Sequence, residues 1–290
     1  MRSVLWSGVI LSFGAAPGFA QSGNPTIDPN LGVQNQGNFV AGEPVAAGSF
    51  VAIFGTNFAS GLTEADSIPL STQLANVSVT FNNVPTPMVA VGHDVNSVHD
   101  DQINAQLPWN VLSNGATSGA AQVIVTRNGV SSAPGTVMIV PAAPGLMIVG
   151  RDSTGVLRPV AYNNSDSTLA YPARVFPAAG LPVRPAKVND PTSLVLLATG
   201  LGTVTFTPPN GSPPVQNGQY VESDTVNKPA VLVGGVQAKV IFSGLSPQYP
   251  SLYQVNVVLD PATPTGDAIP VIIQMNGLQS RPDLMIAVSN

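Results

Sequence analysis

The only clustered titratable groups are His93-Asp94 and His99-Asp100-Asp101. They hold both histidines of the chain beside three carboxylates. Imidazole nitrogen and carboxylate oxygen are ligands for zinc and other divalent ions. A His–Asp couple is also two-thirds of a nucleophilic triad. The segment reads as a loop, however, and no strand period aims the five groups at one point. The expectation is therefore a solvated acidic loop. A metal site drawn from His93, Asp94, His99, Asp100 and Asp101, and a catalytic pair, are the weaker alternatives. Gly200-Leu201-Gly202 follows an apolar run in the manner of a dinucleotide loop. Thr205 stands where the third glycine belongs, and Pro208-Pro209 occupies the place of a helix start. No G-x-S-x-G, H-E-x-x-H or Walker sequence occurs. No catalytic residue and no cofactor are assigned.

The aromatics offer a second chemistry. Trp109, Tyr162, Tyr171, Tyr220, Tyr249 and Tyr253 could form a platform for stacking sugar rings. Trp109 and Tyr253 belong to matching parts of an internal repeat, which favours packing. Carbohydrate binding is the alternative.

These groups must be positioned by strands. Charged residues make up 9% of the 290 residues and hydrophobic ones 44%, with 28 glycines and 28 prolines. That is the composition of short strands joined by tight turns. Ten scattered Lys and Arg under a net charge of −5 form no basic patch, so no nucleic-acid partner is expected. Cysteine is absent, which removes disulfides, thiolate metal sites and a cysteine nucleophile. Residues 1–20 read as a signal peptide: Arg2, an apolar core from Val4 to Phe13, and Gly18-Phe19-Ala20 before the cut. The mature chain is expected outside the cytoplasm (periplasm, cell surface or medium). It should carry no membrane span, since no other stretch reaches about 18 apolar residues.

Residues 21–38 are polar and read as a flexible leader, and Phe39-Val40 as a first edge strand. Gly48 to Ser60, GSFVAIFGTNFAS, then forms a central strand that turns at Gly55. Phe54 is expected in its core. Alternation marks strands at Val77–Phe81, Gln102–Leu107 and Val123–Val125, and Asn128-Gly129 is a type I′ hairpin signal. Five prolines between Pro172 and Pro191 exclude a long helix there.

The first block then returns. SLVLLATGLG answers SFVAIFGTNF, and PAVLVGGVQAKVIFSG answers VSVTFNNVPTPMVAVG. LYQVNVVLDPATPTGD answers DQINAQLPWNVLSNGA, and IPVIIQMNGLQSRPDLMIAV answers AQVIVTRNGVSSAPGTVMIV. The expectation is an all-β chain of two tandem immunoglobulin-like β-sandwiches, residues 39–141 and 192–290. An irregular Pro-rich segment, 142–191, connects them and packs with the second. Gly55 and Gly200 are read as the same turn.

GSFVAIFGTNFAS also resembles the opening of IPT/TIG domains, immunoglobulin-like modules of the E-set type, at Gly48, Val51, Ile53, Gly55, Asn57 and Phe58. Residues 39–290 resemble more closely a C-terminal region of secreted proteins from Solibacter-type soil acidobacteria. The phrases AGSFVAIFGTNFA, DQINAQLPW, VTRNGVSS, APGLM, ATGLG, SLYQVNV and GDAIPV stand in its order. That resemblance implies tandem sandwiches in an exported bacterial protein and carries no catalytic residues. The segment from His93 to Asp100 departs from it as an insertion. The functional expectation is a non-enzymatic structural, adhesion or interaction module with a protein or glycan partner. Carbohydrate binding is the alternative, and a metal-dependent hydrolase the remote one.

Overall fold

The computed structural model describes residues 23–93, 101–173, 175 and 182–290. Within them every regular element is a strand. The first half runs through β1 (Thr26–Ile27), β2 (Val33–Asn35), β3 (Val45–Ala46), β4 (Phe50–Thr56), β5 (Thr63–Glu64), β6 (Gln73–Leu74) and β7 (Val77–Phe81). It continues through β8 (Val84–Pro85), β9 (Met88–His93), β10 (Asp101–Gln106), β11 (Gly119–Arg127), β12 (Val130–Ser131) and β13 (Gly135–Val140). One sheet has the order β4-β10-β9-β5, with β1 and β2 both on the outer side of β4. The other has the order β3-β13-β11-β7-β6. Alternate residues of the two sheets, among them Val51, Ile53, Ile103, Ala105, Val79, Val123, Val125 and Ile139, meet in one buried cluster.

The second half comprises β14 (Gly145–Leu146), β15 (Ile148–Arg151), β16 (Leu157–Pro159), β17 (Ala161–Asn163), β18 (Ala186–Lys187), β19 (Leu194–Thr199) and β20 (Val215–Gln216). It ends with β21 (Gln219–Tyr220), β22 (Ala230–Val233), β23 (Val236–Leu245), β24 (Tyr253–Val258), β25 (Gly266–Met275), β26 (Leu278–Gln279) and β27 (Met285–Ser289). The order β19-β24-β23 repeats β4-β10-β9, and β22-β25-β27-β18 repeats β7-β11-β13-β3. The likeness extends to a parallel pair, since β3 lies parallel to β13 and β18 parallel to β27. Pro87, which has no N–H to give a ladder, stands between β8 and β9. No proline interrupts the counterpart, so β23 runs unbroken from one sheet into the other.

Turn chemistry repeats residue for residue. Asn128-Gly129 and Asn276-Gly277 have φ of 49°/81° and 51°/79°, which Asn and Gly tolerate in the left-handed region. In each hairpin a serine hydroxyl accepts from the strand opposite: Val125 N to Ser132 Oγ at 3.1 Å, Ile273 N to Ser280 Oγ at 3.0 Å.

Strand register corrects how the first strands of the two blocks correspond. Ala52 pairs with Asn104, and Val195 pairs with Asn256. Ala52 therefore answers Val195, one residue away from the match that the sequence suggests. The residue that answers Gly200 (φ 75°) is Asn57 (φ 59°), and these two end their strands. Gly55 lies inside β4 and is no turn. Its missing Cβ leaves room for Thr26 O, which a Cβ there would meet at 2.2 Å.

The expected leader also differs. Residues 26–38 supply β1 and β2 and bury Gln34, Asn35, Gln36 and Asn38. Asn35 Nδ2 donates to Ala143 O at 2.6 Å and Asn38 Nδ2 to Pro144 O at 3.1 Å, so these polar side chains serve the connection between the halves. Phe39 and Val40 are exposed and outside any strand.

The halves meet end to end. Phe50 and Gln106 face each other at one end of the first sheet, while Ala198 and Tyr253 face each other at one end of the second. Phe50 N donates to Thr199 Oγ1 at 2.7 Å across that seam. Phe50, Leu70 and Val89 of the first half bury against Val195, Leu197 and Leu252 of the second, with Met147 and Val160 between. The Asn210-Gly211 turn docks on the first half: Leu70 N donates to Gly211 O at 2.8 Å and Trp109 N to Asn210 Oδ1 at 2.9 Å. Asn210 Nδ2 donates to Asn110 Oδ1 at 2.9 Å, and Gly211 N donates to the Gln106 side-chain oxygen.

Phe54 is only half-buried and packs edge-on against Phe39, with ring centroids 6.4 Å apart. The core position is Ile53, at 0% exposure. Ile53→Asp is expected to abolish the folded state of the first half, because it buries an unpaired carboxylate. Ile53→Ala should cost about 2–5 kcal/mol, and Phe54→Asp should leave a folded protein. Thermal melting followed by circular dichroism checks all three.

Candidate functional site

β9 ends at His93 and β10 begins at Asp101, and the two are direct cross-strand partners. His93 Nδ1 and Asp101 Oδ1 are 2.6 Å apart, with the carboxylate fully buried and the imidazole 20% exposed. The other carboxylate oxygen, Oδ2, accepts from Phe58 N at 2.5 Å and from Ala59 N at 3.4 Å. Asp101 thus spends itself on the backbone that turns away from β4. Asp94, His99 and Asp100 lie outside the described residues. Among the described residues no group of three or more His, Asp or Glu side chains could hold a metal.

The repeat explains why a carboxylate is buried there. Asp101 answers Tyr253 and His93 answers Leu245, since Leu245 and Tyr253 are likewise direct partners. Tyr253 is fully buried, and its hydroxyl donates to Gly202 O at 2.5 Å. Gly202 is the counterpart of Ala59. Both halves therefore tie the segment after their central strand to the same position, one through an acceptor for N–H and one through a donor to C=O. Sequence reasoning missed this tie, although the alignment of Asp101 with Tyr253 was its available signal.

Gly200 and Gly202, with φ of 75° and 81°, are spoken for by the chain itself. A Cβ on Gly200 would meet Ala143 O at 2.1 Å, and one on Gly202 would meet Pro141 O at 2.4 Å. The connecting backbone fills the place a phosphate would take in a dinucleotide loop.

The aromatics do not assemble a platform. Tyr171 and Tyr253 are at 0% exposure, and Tyr162 and Tyr249 pack beside the seam cluster. Trp109 covers Gly48, where a Cβ would meet its ring at 2.2 Å. Tyr220 is exposed. The flat ring surface that stacking on a sugar needs is not offered by these six side chains together.

One charged group unforeseen from the sequence is buried in the second half. Arg158 Nη2 and Asp152 Oδ2 are 2.7 Å apart, and both side chains are at or below 1% exposure. The guanidinium also donates to Asp267 O and Met285 O and lies 5.7 Å from the centre of the Tyr171 ring. It holds the β15–β16 hairpin onto β25 and β27. Burial alone would raise the Asp152 pKa. Hydrogen bonds from the Thr154 hydroxyl, from Arg158 and from the N–H groups of Thr154 and Val156 outweigh it and hold the group at about 2. Asp166 is held at about 2 by the Thr168 hydroxyl and N–H and by Arg184. Asp190 is lowered in the same Asp-x-Thr geometry by Thr192.

Comparisons with known proteins add little weight. No family model matches the chain, and no curated protein matches it. Among solved structures, the "D00-D0 domain of Intimin" is similar at 11% identity over 89% of this chain and 99% of that one, with a TM-score of 0.17. A superposition that poor carries no argument about fold or role.

Two outcomes follow from this geometry. Asp101→Ala should cost about 2–3 kcal/mol by stranding the buried Phe58 N–H, and chelators should leave the melting temperature of the wild-type protein unchanged. A chelator-dependent loss of stability would instead indicate a metal. Depressed carboxylate pKa values mean that the unfolded chain takes up protons first as pH falls. The stability they add is complete above about pH 4 and is lost towards about pH 2. Asp152→Asn should flatten that acid slope, as read from urea unfolding between pH 2 and pH 7.

Proposed function

We propose that the chain is an exported, non-enzymatic module of two tandem immunoglobulin-like sandwiches of the IPT/TIG kind. It works as a rigid structural, adhesive or interaction element at the cell surface or in the medium. The observation that carries this reading is the seam. A two-domain enzyme commonly keeps its reacting groups in a cleft between domains. Here the space between the halves is filled by Phe50, Val89, Val195, Leu197 and Leu252 and crossed by backbone hydrogen bonds. Such a joint fixes the distance and angle between two ends, which is what a spacer or adhesion stalk requires. The His93–Asp101 couple is consumed by the turn at Phe58. The resemblance to secreted acidobacterial regions and the signal-like residues 1–20 supply the location.

Among the described residues no helix is long and apolar enough to cross a membrane. The test is fractionation of a bacterial host expressing the full chain, with amino-terminal sequencing of the product. The expected protein begins at Gln21 and is found outside the cytoplasm. Retention inside the cell with residues 1–20 attached would overturn the location. Turnover of a substrate that is abolished by a single substitution with an unchanged melting curve would overturn the non-enzymatic role.

A further inference from the structure

The seam uses one end of each half, and the repeat supplies a counterpart of each. In the first half, Val89 is the extra residue of a β-bulge: Asn104 pairs with Ala90 and Ala105 with Met88, leaving Val89 without a partner. It is 2% exposed because it lies in the seam. The second half has the same bulge. Val257 pairs with Val240 and Asn256 with Phe242, which leaves Ile241. Ile241 is 44% exposed. Beside it, Val258 answers Gln106 and Pro261 answers Trp109, two residues that receive the Asn210-Gly211 turn in the first half. Val258 and Pro261 border an open hollow in the surface. The changes from Gln106 to Val258 and from the Trp109 N–H to Pro261 remove the two hydrogen-bonding groups that receive the turn, so Ile241, Val258 and Pro261 offer an apolar contact beside a hollow whose lining also carries Lys239 and Asp260.

The receiving end is duplicated in part, since Val195 answers the buried Ala52. Leu197, buried in the seam, answers Phe54 of the first half. Phe54 is half-buried beside Phe39, itself 38% exposed. We propose that a second copy of this chain docks head to tail: the Ile241–Val258–Pro261 end of one molecule packs on the Phe39–Phe54 end of the next, repeating between copies the contact that joins the two halves within one. Such a contact is heterologous, so nothing closes it at two copies, and it extends into a linear array. The proposal rests on the reading of the chain as a structural module.

The seam inside one chain gains an effective concentration on the order of millimolar from its covalent tether, which a contact between copies lacks, so association is read from about 10 µM to about 1 mM. Analytical ultracentrifugation of the mature protein at physiological salt is expected to show a weight-average mass that rises with concentration and passes the dimer without a plateau. Ile241→Asp and Phe39→Asp, each exposed and each checked by its melting curve, should be monomeric alone. Mixed in equal amounts they should form a dimer and nothing larger, because one intact head and one intact tail remain. Met138→Asp, at an exposed site on the other sheet of the first half, should associate like the wild type. A wild-type protein monomeric at about 1 mM, a plateau at the dimer, a mixture that stays monomeric, or association lost with Met138→Asp would each overturn the head-to-tail contact. Extracytoplasmic location with a strictly monomeric protein would sink the array and leave the interaction-module reading standing.

Discussion

Each half depends on burying both faces of one strand. β4 sends Val51 and Ile53 into the core of its own half and Phe50 into the seam. β19 sends Leu194, Leu196 and Ala198 inward and Val195 and Leu197 outward. A strand covered on both sides can carry almost no charge, which accounts for part of the 9% charged composition. It also leaves little clearance for neighbouring backbone. Gly55 admits the carbonyl of Thr26, and Gly200 and Gly202 admit those of Ala143 and Pro141. The glycines that look like a ligand loop are thus a consequence of close approach between the chain's own segments. With no disulfide to constrain the unfolded state, this burial is what holds the halves and their junction.

Two-sided burial also decides what could be read in advance. Strands with one wet face alternate, as Val77–Phe81 does; its counterpart Ala230–Val233 is apolar at all four positions and is legible only through the repeat, and each strand ends in a two-residue turn, Asn82-Asn83 and Gly234-Gly235. Their φ values confirm the turn at both places. β4 and β19 do not alternate, so nothing in their composition reports which residues point inward. Sliding one against the other by a single residue keeps every position apolar and exchanges the two faces. Only the ladder to Asn104 and Asn256 fixes the match. The same slip occurs in the last strand, where Ile139 rather than Val140 answers Val288, because Val137 pairs with Ala121 as Ile286 pairs with its counterpart Ile269. The leader was illegible for the opposite reason. Asn35 and Asn38 have the composition of solvated chain, yet they are buried because the carbonyls of Ala143 and Pro144 need donors.

The candidate site shows how a chemically suggestive pair arises from a structural need. Leaving β4, the chain exposes the N–H groups of Phe58 and Ala59 to an interior position, and a buried donor without a partner is costly. Asp101 satisfies them, and His93 lies on its remaining oxygen at the rim. In the second half the same turn presents a carbonyl, and a tyrosine hydroxyl meets it. Residue type at this position therefore follows the polarity of the backbone group that it must satisfy. By residue type alone the aspartate suggests a metal or catalytic group and the tyrosine a stacking ring, although the two do the same thing.

The Arg158–Asp152 pair belongs to the same logic at greater cost. Desolvating two charges is expensive, and the pair survives because every accessible partner is used: Thr154, Val156, the carbonyls of Asp267 and Met285, and the Tyr171 ring. These contacts join the hairpin after the connection to the strands that close the second sheet. The connecting segment is therefore held at two places. Asn35 and Asn38 grip it beside the first half, and Arg158 fastens it to the second. A hinge needs a few residues free to absorb backbone rotation. From Ala142 to Met147 the chain is buried throughout and bonded to Gly200 and Leu197. The junction thus offers no such residues between Ala142 and Met147, and any motion that changes the angle between the halves must first break the seam.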